Sequence, residues 1–222
     1  MQTLKSQKII ARTFGIFFLF AFLSYGIGTG LTTSITEAEG SLSQVYTNRV
    51  PYIIGIILMA LVHTIVNIGL PVLMQPILQP YHKILSIGYL SAGITATVII
   101  IVGTLFLMLY IPLGSMYATT GSPDLLYYET IGTILIKGNY YAYQIGMALW
   151  GIGGLIFCYL LFISTLVPKV LSIWGFLGYM VFISGTISEL FGYEIGVPLA
   201  IPGGLFEITL SIWLIIKGFS KN

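Results

Sequence analysis

The chain has 222 residues, of which 57% are hydrophobic and only 7% are charged. A soluble domain carries about 25% charged residues, so this composition excludes a soluble globular protein and indicates an integral membrane protein. The formal net charge of +2 is too small, and the cations are too scattered, for a protein that binds nucleic acid. The single cysteine, Cys158, lies in an apolar run and cannot form a disulfide within the chain.

The first apolar segment predicts a membrane-spanning helix over residues 10–31. A cleaved secretion signal is the alternative, because Lys5, Lys8 and Arg12 form a positively charged stretch before it. However, the apolar run from Phe14 to Leu31 exceeds the roughly 7–15 residues of a signal sequence, and no strong cleavage motif follows. We therefore expect this helix to be retained.

Further apolar stretches along the chain predict additional spanning helices. They cover residues 52–75, 83–111, 139–165, 170–191 and 198–218. The segments 32–50 and 112–138 are expected to be loops. Pro, Gly, Ser and Thr are frequent in the first part of segment 112–138, and these residues are typical of loops. The sequence thus predicts an all-α membrane protein: a single domain over residues 1–222 and a bundle of six transmembrane helices.

The distribution of basic residues predicts that both termini are cytoplasmic. With this orientation all Lys and Arg residues except Arg49 and Lys137 fall on inner segments: Lys5, Lys8, Arg12, Lys83, Lys169, Lys217 and Lys221. The acidic residues of the connections fall outside: Glu37, Glu39, Asp124, Glu129 and Glu194. An excess of Lys and Arg marks cytoplasmic loops, so we expect a multi-pass protein of the cytoplasmic membrane.

The last predicted helix carries a carboxylate near its middle. Glu207 lies within the segment Pro198–Phe219, with Gly203 and Gly204 one turn before it and Ser211 one turn after it. A charge at membrane depth is costly. Glu207 therefore needs a hydrogen-bonding partner, a proton or a water-filled cavity.

The second predicted helix carries His63, with Asn67 one turn later on the same face. Counted from the outer ends of their helices, His63 lies ~18 Å deep and Glu207 ~14 Å deep, so the two side chains could pair if the helices are neighbours. We name Glu207, His63 and Asn67 as candidates for a proton- or ligand-binding site. The alternative is that each side chain is a structural contact to a backbone carbonyl or hydroxyl of a neighbouring helix.

No motif in the sequence specifies a reaction. It contains no HExxH, GxSxG or P-loop pattern and no Cys/His cluster with metal-ligand spacing. We therefore predict no catalytic residue, no metal site and no cofactor. A haem held by two histidines is not expected, because His82 lies at the predicted inner corner, far from His63. The glycines of the run Trp150–Leu155 are interpreted as helix-packing positions.

The sequence resembles a family of prokaryotic integral membrane proteins, the domain of unknown function 4386 family. Two motifs carry most of the resemblance: VPKVLSIWGFLG at Val167–Gly178, and PGGLFEITLSIWLIIKGF at Pro202–Phe219. Shorter similarities are LSIGYL at Leu85–Leu90 and the N-terminal ARTFGIFFLF. The resemblance implies a multi-pass membrane protein and brings no established activity with it.

The chain departs from the family pattern at charged positions of its second and third helices. The family often has an Arg and a Glu three residues apart in the third helix, where this chain has Gly93 and Ala96. It often has a Glu near the position of His63. Of that charged set, this chain keeps the carboxylate of Glu207.

Three functions remain open from the sequence. The first is a non-enzymatic membrane component or accessory factor, whose expected partners are the lipid bilayer and either another membrane protein or a second copy of the chain. The second is a small transporter or ligand-binding bundle that uses Glu207 and His63. The third is an enzyme that acts on a lipid. The sequence has no identifiable nucleophile–base pair for such an enzyme.

Overall fold

The computed structural model describes residues 4–120 and 125–220, which form helices and contain no strand. The helices are α1 (Leu4–Thr36), α2 (Ser41–Thr47), α3 (Arg49–Ile57), α4 (His63–Leu78), α5 (Lys83–Thr120), α6 (Leu125–Ser164), α7 (Lys169–Leu190) and α8 (Gly196–Ile216). A π-helical segment, Leu58–Val62, joins α3 to α4 without a break in the helical path. The predicted all-α fold class is confirmed.

Six helical segments of the described chain are long and apolar enough to cross a membrane. They are Ser6–Thr36, Arg49–Leu78, Lys83–Thr119, Leu126–Ser164, Lys169–Leu190 and Gly196–Ile216. The protein is therefore a multi-pass membrane protein, as its composition indicated. The cytoplasmic placement of both termini stays a prediction, and Asp124 and Lys221, which contributed to it, lie outside the described residues.

The loop predicted over residues 112–138 is wrong at the positions that the structure describes. Helix α5 continues through Pro112 to Thr120, and α6 begins at Leu125. Two of the residues that suggested a loop, Ser115 and Thr119, are satisfied inside the helix, because their hydroxyls donate to carbonyls one turn earlier. Ser115 donates to the carbonyl of Ile111 at 3.1 Å, for example. Such bonds make a polar composition compatible with a helix.

The loop predicted over residues 32–50 is also mostly helical. After α1 ends, a short turn leads to Gly40, whose φ of 67° is the left-handed conformation that glycine adopts without strain. Helix α2 follows and buries Leu42 and Val45. A side chain at Gly114 of α5 would overlap Val45, so this glycine allows α2 to lie directly against α5.

The chain divides into two compact units, and the single domain that the sequence predicts stays a prediction. Unit 1 comprises Met1–Ala21, Ile65–Val98 and Gln144–Asn222, and unit 2 comprises Phe22–Thr64 and Ile99–Tyr143. Several helices pass from one unit into the other, because the division falls within α1, α4, α5 and α6.

Unit 1 is held together by close approaches at glycines. Helices α7 and α8 pack along each other, and a methyl group on Gly178 would lie 3.1 Å from Cα of Gly203. Helix α1 approaches α8 in the same way, since a methyl group on Gly15 would lie 2.6 Å from the carbonyl oxygen of Ser211. Small residues permit such short distances between helices in membranes, where dispersion contacts drive association.

Unit 2 has a core in which tyrosines supply both ring packing and hydrogen bonds. The Tyr52 hydroxyl donates to the carbonyl of Leu107 at 3.0 Å, and the Tyr110 hydroxyl is 2.6 Å from the Ser41 hydroxyl. These bonds connect α3 and α2 to α5. A buried tyrosine needs such a partner for its hydroxyl, whereas its ring packs like any other apolar group.

The predicted orientation can be tested with single cysteines at exposed positions. Glu39→Cys and Glu194→Cys should react with a membrane-impermeant maleimide in intact cells, because the basic residues predict that these sites are outside. His82→Cys and Lys169→Cys should react only after permeabilisation. The native Cys158 is buried and provides an unreactive background. Labelling of either inner site in intact cells would contradict the orientation.

Candidate functional site

The carboxylate of Glu207 lies in unit 1 where three helices meet. Its Oε1 atom accepts a hydrogen bond from the Tyr179 hydroxyl at 2.5 Å and one from the Trp150 indole Nε1 at 3.3 Å. Glu207 belongs to α8, Tyr179 to α7 and Trp150 to α6. All three side chains are buried. We call these three residues the Glu207 site.

The aromatic rings around the Glu207 site pack against glycines of the neighbouring helices. A side chain at Gly154 of α6 would overlap the ring of Tyr179, and one at Gly175 of α7 would overlap the ring of Phe206. The Tyr179 and Phe206 rings meet edge to face, with centroids 5.9 Å apart. Each glycine thus makes room for the ring of the next helix. This agrees with the interpretation of the glycines near Trp150 as packing positions.

The small residues next to Glu207 in the sequence serve the helix backbones. The Ser211 hydroxyl donates to the backbone carbonyl of Glu207 at 2.7 Å, so it does not bind the carboxylate. Gly203 faces α7 in close contact, whereas a methyl group on Gly204 would have no neighbouring atom within 4 Å. Only one of the two adjacent glycines is therefore required for helix packing.

The surroundings of Glu207 indicate a packed contact between helices. Both of its bonds come from side chains of its own chain, and one oxygen atom accepts both. A neutral carboxyl group or an amide also has an oxygen that can accept both bonds. The described cations of unit 1 are all exposed: Lys8, Arg12, Lys83, Lys169 and Lys217. The site can therefore hold α6, α7 and α8 together in either protonation state.

Asn67 joins α4 to α5 within unit 1. Its Nδ2 donates to the Thr97 hydroxyl at 2.8 Å, and that hydroxyl donates to the carbonyl of Gly93 at 2.8 Å. One turn after Asn67, Pro71 lacks the N–H that would bind the Asn67 carbonyl. The Pro71 ring packs on Gly93, where a methyl group would lie 2.9 Å from its Cγ. These contacts favour the structural interpretation of Asn67.

His63 lies in unit 2, directly after the π-helical segment. Its side chain is buried, and the centroid of its ring is 4.9 Å from that of Tyr25. Glu207 belongs to unit 1, where Tyr179 and Trp150 bind its carboxylate. The pairing of His63 with Glu207, and the role of both in a proton or ligand site, stay predictions.

The sequence did not indicate that Tyr179 and Trp150 are partners of Glu207. Trp150 begins the run Trp150–Leu155, whose glycines were interpreted as helix-packing positions, and Tyr179 was assigned no role. A signal was present for Tyr179, because it lies in the middle of the uncharged stretch 170–188 and has a polar hydroxyl at membrane depth. A buried hydroxyl there requires a partner on another helix.

Glu189 has a structural role that the sequence did not show. Its Oε1 accepts a hydrogen bond from the backbone N–H of Gly196 at 2.7 Å. Gly196 is the first residue of α8, so the carboxylate satisfies an amide that has no partner within the helix. A negative charge at this end also interacts favourably with the helix dipole.

Within residues 4–120 and 125–220, no group of three or more His, Cys, Asp or Glu side chains could hold a metal ion. The Glu207 site has one carboxylate, one hydroxyl and one indole N–H, and the hydroxyl and the indole both act as donors toward the carboxylate. This donor set suits a hydrogen-bonded contact between helices, since hard cations prefer several oxygen ligands.

The packing of the Tyr179 ring against Gly154 can be tested by substitution. Gly154→Ala should lower the free energy of unfolding by about 1–3 kcal/mol, because the added methyl group overlaps the Tyr179 ring and displaces its hydroxyl from Glu207. Gly204→Ala is the matched control, and it should be neutral or slightly stabilising, since alanine favours helix. Thermal unfolding in detergent measures both. Equal melting temperatures for the two variants would contradict this packing.

A family model described as domain of unknown function (DUF4386) matches residues 13–218, which is most of the chain. No curated protein matches the chain, and no solved structure matches it. The matched region contains all three residues of the Glu207 site. The chain therefore belongs to the DUF4386 family of membrane proteins.

Proposed function

We propose that the protein is a non-enzymatic component of the cytoplasmic membrane, an accessory factor that acts through its helix surfaces. The observation that carries this proposal is the engagement of Glu207, the carboxylate at membrane depth, by Tyr179 and Trp150 of the same chain. Such a contact stabilises the bundle. A transport site would instead use its carboxylate to bind a substrate or to exchange a proton.

Most of the described residues lie in the membrane-spanning helices, and this supports action within the membrane. The described connections that follow α1, α4, α6 and α7 are short: residues 37–40, 79–82, 165–168 and 191–195. Large apolar side chains lie exposed along the helices, for example Ile16 and Leu23 of α1 and Leu177 of α7. These faces suit contact with lipid, with another membrane protein or with a second copy of the chain.

Two replacements of Glu207 distinguish this function from transport. Glu207→Gln keeps an oxygen that accepts both bonds, so its stability should be close to that of the wild type. Glu207→Leu leaves the Tyr179 hydroxyl and the Trp150 N–H without an acceptor. Interhelical polar contacts in membranes contribute about 0.6 kcal/mol on average and up to ~1.7 kcal/mol, so the loss of two should cost about 1–3 kcal/mol.

The same two variants should be assayed for stability in detergent and for function in cells that lack the natural protein. An accessory factor predicts that Glu207→Gln restores function fully and that Glu207→Leu restores it only as far as folded protein accumulates. The control is Glu194→Gln, which changes an exposed carboxylate of the connection before α8. A folded Glu207→Gln variant that fails to restore function would show that the titratable proton is needed, and would favour a proton-coupled transporter.

A further inference from the structure

A cluster of aromatic rings in unit 2 has no part in the proposed function. Tyr25 of α1 stacks on Tyr143 of α6, with ring centroids 5.4 Å apart and planes 20° apart. The ring of His63, at the start of α4, is 4.9 Å from Tyr25. His63 is buried, and the two tyrosines are half-buried. We call Tyr25, His63 and Tyr143 the ring cluster.

Two polar side chains, Thr29 and Asn139, lie one helical turn from the ring cluster. Thr29 follows Tyr25 by four residues on α1, and Asn139 precedes Tyr143 by four residues on α6, so each shares a face with its tyrosine. Successive spans alternate in direction, so α1 and α6, the first and fourth spans, run antiparallel. Thr29 and Asn139 therefore lie at the same level, on the same side of the stacked tyrosines.

Thr29 Oγ1 and Asn139 Nδ2 are buried atoms without a hydrogen-bond partner in the described part of the chain. The amide of Asn139 is pressed against α5, where a methyl group on Gly103 would lie 3.3 Å from its Nδ2. A buried side-chain amide usually has a hydrogen-bond partner, as Asn67 does when it donates to Thr97. Nearly all buried polar groups in proteins have a partner. Of the five exceptions in the described part of the chain, Thr29 and Asn139 lie at one level, which points to a partner from outside the chain.

The helix that carries His63 is distorted at this place. The π-helical segment Leu58–Val62 ends immediately before His63. A π-helical turn inserts an additional residue into a helix, at a cost in regular hydrogen bonding, and such turns are frequent at functional sites. The distortion is independent of the unpaired groups on α1 and α6, and it occurs on the helix that supplies the third ring.

The charges of unit 2 indicate that a bound molecule would be neutral. The described charged residues of this unit are all exposed: Glu37, Glu39, Arg49, Glu129 and Lys137. The ring cluster and its two polar neighbours carry no carboxylate, ammonium or guanidinium group. The cluster instead provides flat aromatic surfaces, an amide that donates hydrogen bonds and a hydroxyl that can donate or accept.

We propose that the ring cluster, with Thr29 and Asn139, binds an uncharged, membrane-soluble molecule whose flat ring bears a carbonyl oxygen. The ring of this molecule would pack against the tyrosines, and its carbonyl oxygen would accept a hydrogen bond from Asn139 Nδ2, with Thr29 as second partner. Both polar atoms are covered in the unliganded packing, so binding requires rotation of the Asn139 side chain. Thr29, Asn139 and both tyrosines are half-buried, so each reaches the protein surface.

The test uses the full chain in lipid nanodiscs and a decyl-substituted 1,4-benzoquinone as the probe. Decylbenzene, which has the same alkyl chain and a flat six-membered ring but no carbonyl group, is the control compound. Binding is measured by equilibrium partition against empty nanodiscs and by the shift in melting temperature. The variants are Asn139→Leu and Thr29→Val, with Asn48→Leu and Thr33→Val as matched controls, whose side chains bond to Gln44 and to the Thr29 carbonyl.

The wild type should bind the quinone saturably and bind decylbenzene more weakly. Asn139→Leu should weaken quinone binding by about tenfold or more, since the lost donor is buried on binding, and Thr29→Val should weaken it less. Without the probe, both variants should be at least as stable as the wild type, because each removes a polar atom that has no partner. The control variants should bind as the wild type does.

Four results would overturn the proposal. The first is the absence of saturable quinone binding by the wild type. The second is unchanged quinone binding by Asn139→Leu, and the third is equal binding of decylbenzene by the wild type. The fourth is a lower melting temperature for unliganded Asn139→Leu, because it would mean that the amide already has a partner in the folded protein. None of these results bears on Glu207, which lies in unit 1, so the two proposals fail separately.

Discussion

The hydrogen bonds from Tyr179 and Trp150 to Glu207 are the interaction on which the packing of α6, α7 and α8 depends. A carboxyl group at membrane depth has no water to bind, so the protein must provide donors. Two donors on two other helices draw all three helices together around one oxygen atom. The rings that carry these contacts need space, and Gly154 and Gly175 provide it. The polar contact and the small residues are therefore parts of one arrangement.

Helix α5 carries two small residues, Gly93 and Ala96, at the positions where the family resemblance implies an Arg and a Glu. Gly93 receives the ring of Pro71, and Ala96 is completely buried. Gly93 has no free space for a side chain in this packing, and a charged group at Ala96 would be buried. The contact between α4 and α5 is made instead by the neutral pair Asn67 and Thr97, which avoids the cost of burying ions.

Hydropathy predicted the six spans correctly, but it did not predict the helix ends or the partners of the polar residues. The end of the third predicted helix was placed too early because Ser115 and Thr119 indicated a loop, although their hydroxyls bond within the helix. The partners of Glu207 were missed because a tyrosine and a tryptophan are common in membrane helices for several reasons. Nothing in the spacing along the chain distinguishes an interfacial ring from a buried donor.

By itself, the sequence determined that this chain is a six-span, all-α membrane protein with a carboxylate inside its last span. These properties follow from the transfer free energies of successive side chains, which add along the chain and do not depend on neighbours. The contact of Glu207 with Tyr179 and Trp150, and the two unpaired polar groups near the rings beside His63, follow from the folded arrangement of the helices. Those outcomes depend on how each helix is rotated toward the next, which is set by the interlocking of glycines and rings on different helices.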